Sequence, residues 1–218
     1  MASIVESCNI ALSNIRARSI NSLDESSIEA QQCKLHVDTV RDIVLRDTDW
    51  PMARKTLALA LRTDKPLQWV YAYQYPSDCV ALRMVTADFA GKGQSIDGTA
   101  TRFRNSGAFS SEPDPSVPFA IESIGGALVI TTDQPEAYGV YTRRVSDWNQ
   151  FDPLWRTAFE WLLSSRLAIP VIGGDLGRKM REDAIAMYQV SLSSAIAAAQ
   201  NEQRRPPRRA PSMIEARR

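Results

Sequence analysis

The apolar positions of this chain change period twice. Ile4, Cys8, Ala11 and Ile15 recur at helical spacing and predict a helix over residues 3–15. Ser22 and Asp24 open a polar stretch, and Ser26 with Glu29 makes a capping-box pair ahead of a second helix. On that helix Cys33, Val37, Val40 and Val44 fall at steps of four, three and four, a stripe that should face a core. Arg41, Asp42, Arg46 and Asp47 are interleaved with it as solvated or paired charges. Pro51 disfavours the helical region at Trp50, so the helix stops there, and a third helical run is expected over residues 52–61.

From Leu67 the period falls to two. Trp69, Tyr71, Tyr73 and Tyr75 alternate with Val70, Ala72 and Gln74 as a strand does, and residues 82–89 make a second such run. Residues 91–98 are polar and glycine-rich; 99–104 and a loop with Pro113, Pro115 and Pro118 follow. Phe119–Ile124 and Ala127–Thr132 flank Gly125-Gly126, a two-residue hairpin turn, and residues 138–145 form the last strand candidate. A small antiparallel sheet is expected here.

Helix returns after Asp152, with Pro153 suited to a first turn. Trp155, Phe159, Leu162, Leu163 and Leu167 share a face, and Pro170 should end the run. Past Gly173-Gly174 a long helix over residues 176–200 would span about 37 Å. Met180, Ala184, Met187 and Ala195 line one stripe of it; Ile185, Tyr188, Leu192 and Ile196 line the next. So wide a face suits a helix gripped by two partners. The expected fold class is α+β, mostly helical: a helical bundle from the N- and C-terminal helices, a central antiparallel β insertion, and an extended basic C-terminal arm. The parts are residues 1–66, 67–150, 151–200 and 201–218 in that order.

Composition narrows the function. The 218 residues are 44% apolar and 23% charged, which excludes wholesale disorder. No apolar run approaches the roughly 20 residues that cross a bilayer, so no membrane role is expected, and residues 1–9 lack the pattern of a secretory signal. The net charge is +1, but it is divided unevenly. Residues 201–218 carry six arginines against two glutamates, +4, which leaves −3 for the first 200. Pro206, Pro207 and Pro211 forbid a continuous helix there. The segment reads as a solubilising end or as an arm that orders on a partner. In the second reading Arg204, Arg205, Arg208, Arg209, Arg217 and Arg218 supply charge, and Met213 and Ile214 supply apolar anchors.

Candidate chemistry is sparse. Cys8, Cys33 and Cys79 are too few and scattered for a disulfide framework or zinc site, and Cys8 and Cys33 read as small buried hydrophobes. His36, the single histidine, sits beside an apolar stripe with no assignable partner. The loop Gly91-Lys92-Gly93-Gln94-Ser95 lacks the spacer and ending of a phosphate loop, and Gly173-Gly174-x-x-Gly177 follows no strand of a βαβ unit. No HExxH, GxSxG or CxxC is present. Neither cofactor nor metal is expected, and an enzyme built on residues 91–98 is the weakest reading.

Three stretches carry a resemblance. The first is Ala11-Leu12-x-x-Ile15, Ile20-x-Ser22-Leu23-Asp24-Glu25, Glu29-Ala30-x-x-Cys33, Arg41-Asp42, Leu45-Arg46 and Trp50-x-x-Ala53. The second is Trp69-x-Tyr71-Ala72-Tyr73-x-x-Pro76-x-Asp78-Cys79. The third runs from Leu128 through Thr131, Asp133 and Tyr141 to Phe151-Asp152-Pro153 and the last two helices. In order and spacing, over residues 4–200, these resemble the tail tubular protein A family of short-tailed phages. Arg16 stands where the family pattern offers a glycine after the isoleucine. The resemblance implies a head-to-tail adaptor, a structural protein forming a ring, commonly of twelve copies, between the portal and a tail nozzle or tube. Tail fibres are a further candidate partner. The genome would pass through its lumen without sequence-specific binding. The location implied is the neck of a virion, and the host cytoplasm during assembly. On this reading the arginine arm docks on portal. The alternative is a small DNA-binding module that uses the same arm on phosphates, with binding that weakens steeply with salt.

Overall fold

The computed structural model describes residues 3–64, 66–87 and 117–202, and the chain in it is α+β. Helices α1 (Ile4–Asn14) and α2 (Ile28–Asp47) come first. Six strands follow: β1 (Arg54–Ala58), β2 (Tyr71–Gln74), β3 (Cys79–Ala87), β4 (Phe119–Ile124), β5 (Ala127–Thr132) and β6 (Ala137–Arg143). Helices α3 (Pro153–Ile172) and α4 (Gly174–Glu202) close the described chain. Contacts divide it into a helical unit, ending at Arg54 and resuming at Thr142, and a β unit over Lys55–Tyr141. Residues 91–98 with Lys92, the 99–104 run and the arm beyond residue 202 lie outside the described residues.

In the helical unit, α1 begins at a full capping box. The Ser3 hydroxyl accepts from the Glu6 amide at 3.1 Å, and the Glu6 carboxylate accepts from the Ser3 amide. The second helix starts one residue later than Ser26 suggests: Ser27 is the cap and accepts from the Ala30 amide at 3.3 Å. The stripe Cys33, Val37, Val40 and Val44 is buried as expected. The α2 exit is fixed by Trp50, whose indole N–H donates to the Val44 carbonyl at 2.7 Å. Asp152 caps α3 through the Leu154 and Trp155 amides, with Pro153 in the first turn.

Helix α3 is the centre of this unit, and α1, α2 and α4 all pack on it. Trp155, Phe159, Leu163 and Leu167 are fully buried, each contributing about 1.5–3 kcal/mol by burial. Trp155 stacks between Phe151 (centroids 3.9 Å apart) and Phe159 (5.5 Å), and Trp148 meets all three edge-on. Pro170 does not end the helix. It lies only two residues from Ile172, where a missing amide costs one bond, and the Gly173 N–H closes the last turn on the Ile169 carbonyl at 2.9 Å. Gly177 then lets α4 return close to α3: a Cβ there would sit 2.8 Å from the Ala168 carbonyl oxygen.

In the β unit two expectations are corrected. Residues 52–61 are not helical. Pro51–Ala53 make a single 3₁₀ turn and Arg54–Ala58 are strand β1 beside β6. Helix-prone alanine and leucine misled the local pattern; pairing with β6 won, and just past β1 Leu59 packs over Gly139, where a Cβ would come within 2.9 Å of it. The sheet is also not single. Strands lie in orders β1-β6-β3 and β2-β5-β4. The second is antiparallel, with Tyr73 opposite Ile130 and Ile121 opposite Ile130 on the far side. Leu59, Tyr73, Val85, Ile130 and Ala137 form a core from strands of both sheets. The β4–β5 turn is the expected one, with Gly125 and Gly126 at φ 61° and 79°.

Candidate interaction surface

The titratable groups of the β unit hold strands together. Asp78, just ahead of β3, accepts from the Tyr141 hydroxyl on β6 and from the Lys55 ammonium on β1, both at 2.8 Å. Burial pushes the Asp78 carboxyl up, but the bonds from Lys55 and Tyr141 outweigh it and hold it below the ordinary value. Lys55 is raised by the same contact with Asp78. The Asp78 carboxylate thus uses one oxygen for each partner and braces the three strands.

The helical unit repeats this pattern. Cys8 and Cys33 remain thiols in the α1–α2 core, and the hydrogen bond with Cys33, with burial, pushes the Cys8 thiol far up. His36 is lowered by burial and then by the Arg166 charge. Glu160 is buried on α3 and raised by that burial, against a hydrogen bond with Ser7. Among the described residues, no group of three histidine, cysteine or acidic side chains could hold a metal.

The residues that carry the family resemblance do scaffold work. Ala11, Leu12, Ile15, Ala30 and Cys33 are core. The Ile20 backbone exchanges two 2.8 Å bonds with the Asn9 amide group, and Glu25 accepts from the Asn21 and Ser22 amides. Asp42 receives the Arg144 guanidinium, bonding α2 to the segment after β6. Tyr73 donates to the Gln134 carbonyl at 2.6 Å, and Asp133 accepts from the Val70 amide. Asp152 is the α3 cap. These residues pack the core or position backbone; Asp152, with Trp50 and Phe151, also borders a groove.

What is left to meet a partner is surface. Helix α4 buries only Gly177, Ala184, Ala195 and Ala199 of its 29 residues. Leu176, Met187 and Val190, on a flank of the helix away from those four, are 56%, 42% and 60% exposed. Helix α2 shows Ile28 and Leu35, seven residues apart, at 61% and 64%. The β unit shows Leu61, Leu67 and Val70, with Ile121 and Leu128 near its hairpin. A groove of about 210 Å³ opens in the helical unit between Trp50, Met52 and Phe151 on one side and Ala195 and Ala199 on the other. Asp152 and Glu202 are its charged lining, and no basic side chain is among the described residues there.

The predicted arm residues Arg204, Arg205, Arg208, Arg209, Met213, Ile214, Arg217 and Arg218 lie outside the described residues. Sequence reading missed the groove and the α2 flank. The apolar width of α4 pointed to a helix with more than one partner, but of the uncovered Leu176, Met187 and Val190 only Met187 belongs to either expected stripe. The chain matches no known family profile and no curated protein.

Proposed function

We propose that this protein is the structural adaptor its three motif stretches suggest. It forms a ring, twelve-fold by family resemblance, between a phage portal and a tail nozzle or tube, with tail fibres a further contact. The helices act as a bundle that gives its outer flanks to neighbouring copies, the β unit faces the tail, and the arginine arm docks on acidic groups of the portal. One observation carries the reading: α4 runs 29 residues yet leaves Leu176, Met187 and Val190 uncovered. A ring member would bury this flank against the next copy.

Charge supports the same role. The first 200 residues sum to −3, and a lining that neutralises few phosphates lets duplex DNA slide, whereas a basic one retains it by counterion release. The test is a triple variant, Leu176→Glu, Met187→Glu and Val190→Glu, mixed with portal. All three side chains are at least two-fifths exposed, so the fold should survive, with a thermal midpoint within a few degrees of the parent. Rings should fail to close. Rings that form as readily as before would remove this flank from the interface.

A further inference from the structure

The groove at the end of α4 has a chemistry that selects its occupant. We infer that it holds the chain's own C-terminal arm, with Met213 and Ile214 seated between Trp50, Met52, Phe151 and the alanines of α4. At about 210 Å³ it falls below the roughly 300 Å³ at which small-molecule pockets begin, and it suits a pair of aliphatic side chains. Its described charges are both negative. Asp152 uses Oδ1 for the α3 cap, which leaves Oδ2 for a guanidinium, and the Glu202 side chain is exposed. The arm supplies the complement: Met213-Ile214 bracketed by Arg208, Arg209, Arg217 and Arg218.

Chain length fits the same copy. Met213 lies eleven residues past Glu202, a reach of about 36 Å when extended. The groove is bordered by the last two turns of α4, about 10 Å of helix. The arm therefore has enough slack to reverse direction and lie back along the helix it leaves. This docking needs no portal and no ring, so it stands or falls apart from the adaptor reading. It would keep the arginines off nucleic acid and off other copies until a higher-affinity acidic partner displaces them.

The full chain, alone and dilute, is the material for the test. Met213→p-benzoylphenylalanine is irradiated and the cross-linked peptides are sequenced. Bonds within one chain to the peptides holding Trp50 and Met52, or Ala195 and Ala199, are expected. Bonds confined to other surfaces, bonds only between two chains, or no bonds at all overturn the inference. Trypsin gives a second reading. Cleavage after Arg208 and Arg209 should be about fivefold faster in the Met213→Asp, Ile214→Asp double variant and in Glu202→Lys than in the parent. The first pair cannot unfold the helices, since both positions lie in the arm. Equal rates in all three chains would overturn the docking.

Discussion

Asp78 accepts a hydrogen bond from the Tyr141 hydroxyl at 2.8 Å across 63 residues of sequence, while its other oxygen holds the Lys55 ammonium. One carboxylate thereby ties the approach to β3 to both β6 and β1. The Lys55 and Asp78 side chains are 42% and 38% exposed, so solvent screens the pair. Asp78→Ala should lower stability by about 1 kcal/mol in a urea titration at neutral pH. The Asp78 carboxyl is depressed below its ordinary 3.8 in the folded chain. Its contribution is therefore present above that value and lost as the pH falls below it. The parent and Asp78→Ala should converge in acid. A gap that persists at pH 2 would mean the brace acts through packing.

Arg16 occupies the left-handed region at φ 59°, the only described residue other than glycine to do so. The Arg16 and Ala17 amides bond the Ser13 and Leu12 carbonyls, both at 2.9 Å, a Schellman end for α1. An L-residue there is strained by about 1–2 kcal/mol, partly offset because glycine has more unfolded freedom to lose. Arg16→Gly should raise stability by about 0.5–1 kcal/mol, and Arg16→Val should lower it. An Arg16→Gly chain less stable than the parent would show that the guanidinium makes a compensating contact.

Gly177 sets the α3–α4 approach. A Cβ there would lie 2.8 Å from a backbone oxygen, which cannot swing aside as a side chain would. Gly177→Ala should cost about 1–3 kcal/mol despite alanine's better helix propensity. A thermal melt that moves upward would contradict the close approach.

Glu160 is buried, and its burial raises the carboxyl above the ordinary 4.5 against the opposing pull of Ser7 and Arg156. The folded chain thus binds this proton more tightly than the unfolded one. Stability should fall as the pH rises from 4.5 through the raised value. Glu160→Gln should flatten that fall and leave the chain at least as stable as the parent at pH 7. Chemical denaturation at pH 4, 5, 6 and 7 measures it. His36 works in the opposite direction, since its lowered value makes protonation below 6.5 unfavourable to the fold. The His36→Gln background isolates the carboxylate.

Much of the helical unit was legible because its signals are local. The α2 stripe of Cys33, Val37, Val40 and Val44 and the Asp152–Pro153 start each rest on neighbours a few residues away, as does the Gly125-Gly126 turn in the β unit. Strand β1 was not legible. Its residues favour helix on their own, and pairing with β6, some eighty residues later, makes a strand of them. Pro170 misled for a related reason: a proline two residues from a helix end removes one bond, and Gly173 closes the turn regardless. The candidate surface was half legible. The apolar width of α4 suggested more than one partner, but the uncovered Leu176 and Val190 lie off both expected stripes, and a groove assembled from Trp50, Phe151 and Ala199 has no signature in any one segment.

Deleting residues 201–218 should abolish firm attachment to portal while the helices stay folded, since these residues follow the last buried position of α4, Ala199, and the melt should fall only by what the arm's seat in the groove contributes. If attachment instead persists and salt-dependent binding to duplex DNA is what disappears, the arm serves phosphates.

The proposed adaptor role meets its sharpest test in electron micrographs of the full chain mixed with a phage portal. A closed ring of copies stacked coaxially on the portal, twelve by the family resemblance, is the predicted result. A chain that stays monomeric and leaves the portal bare would contradict the account.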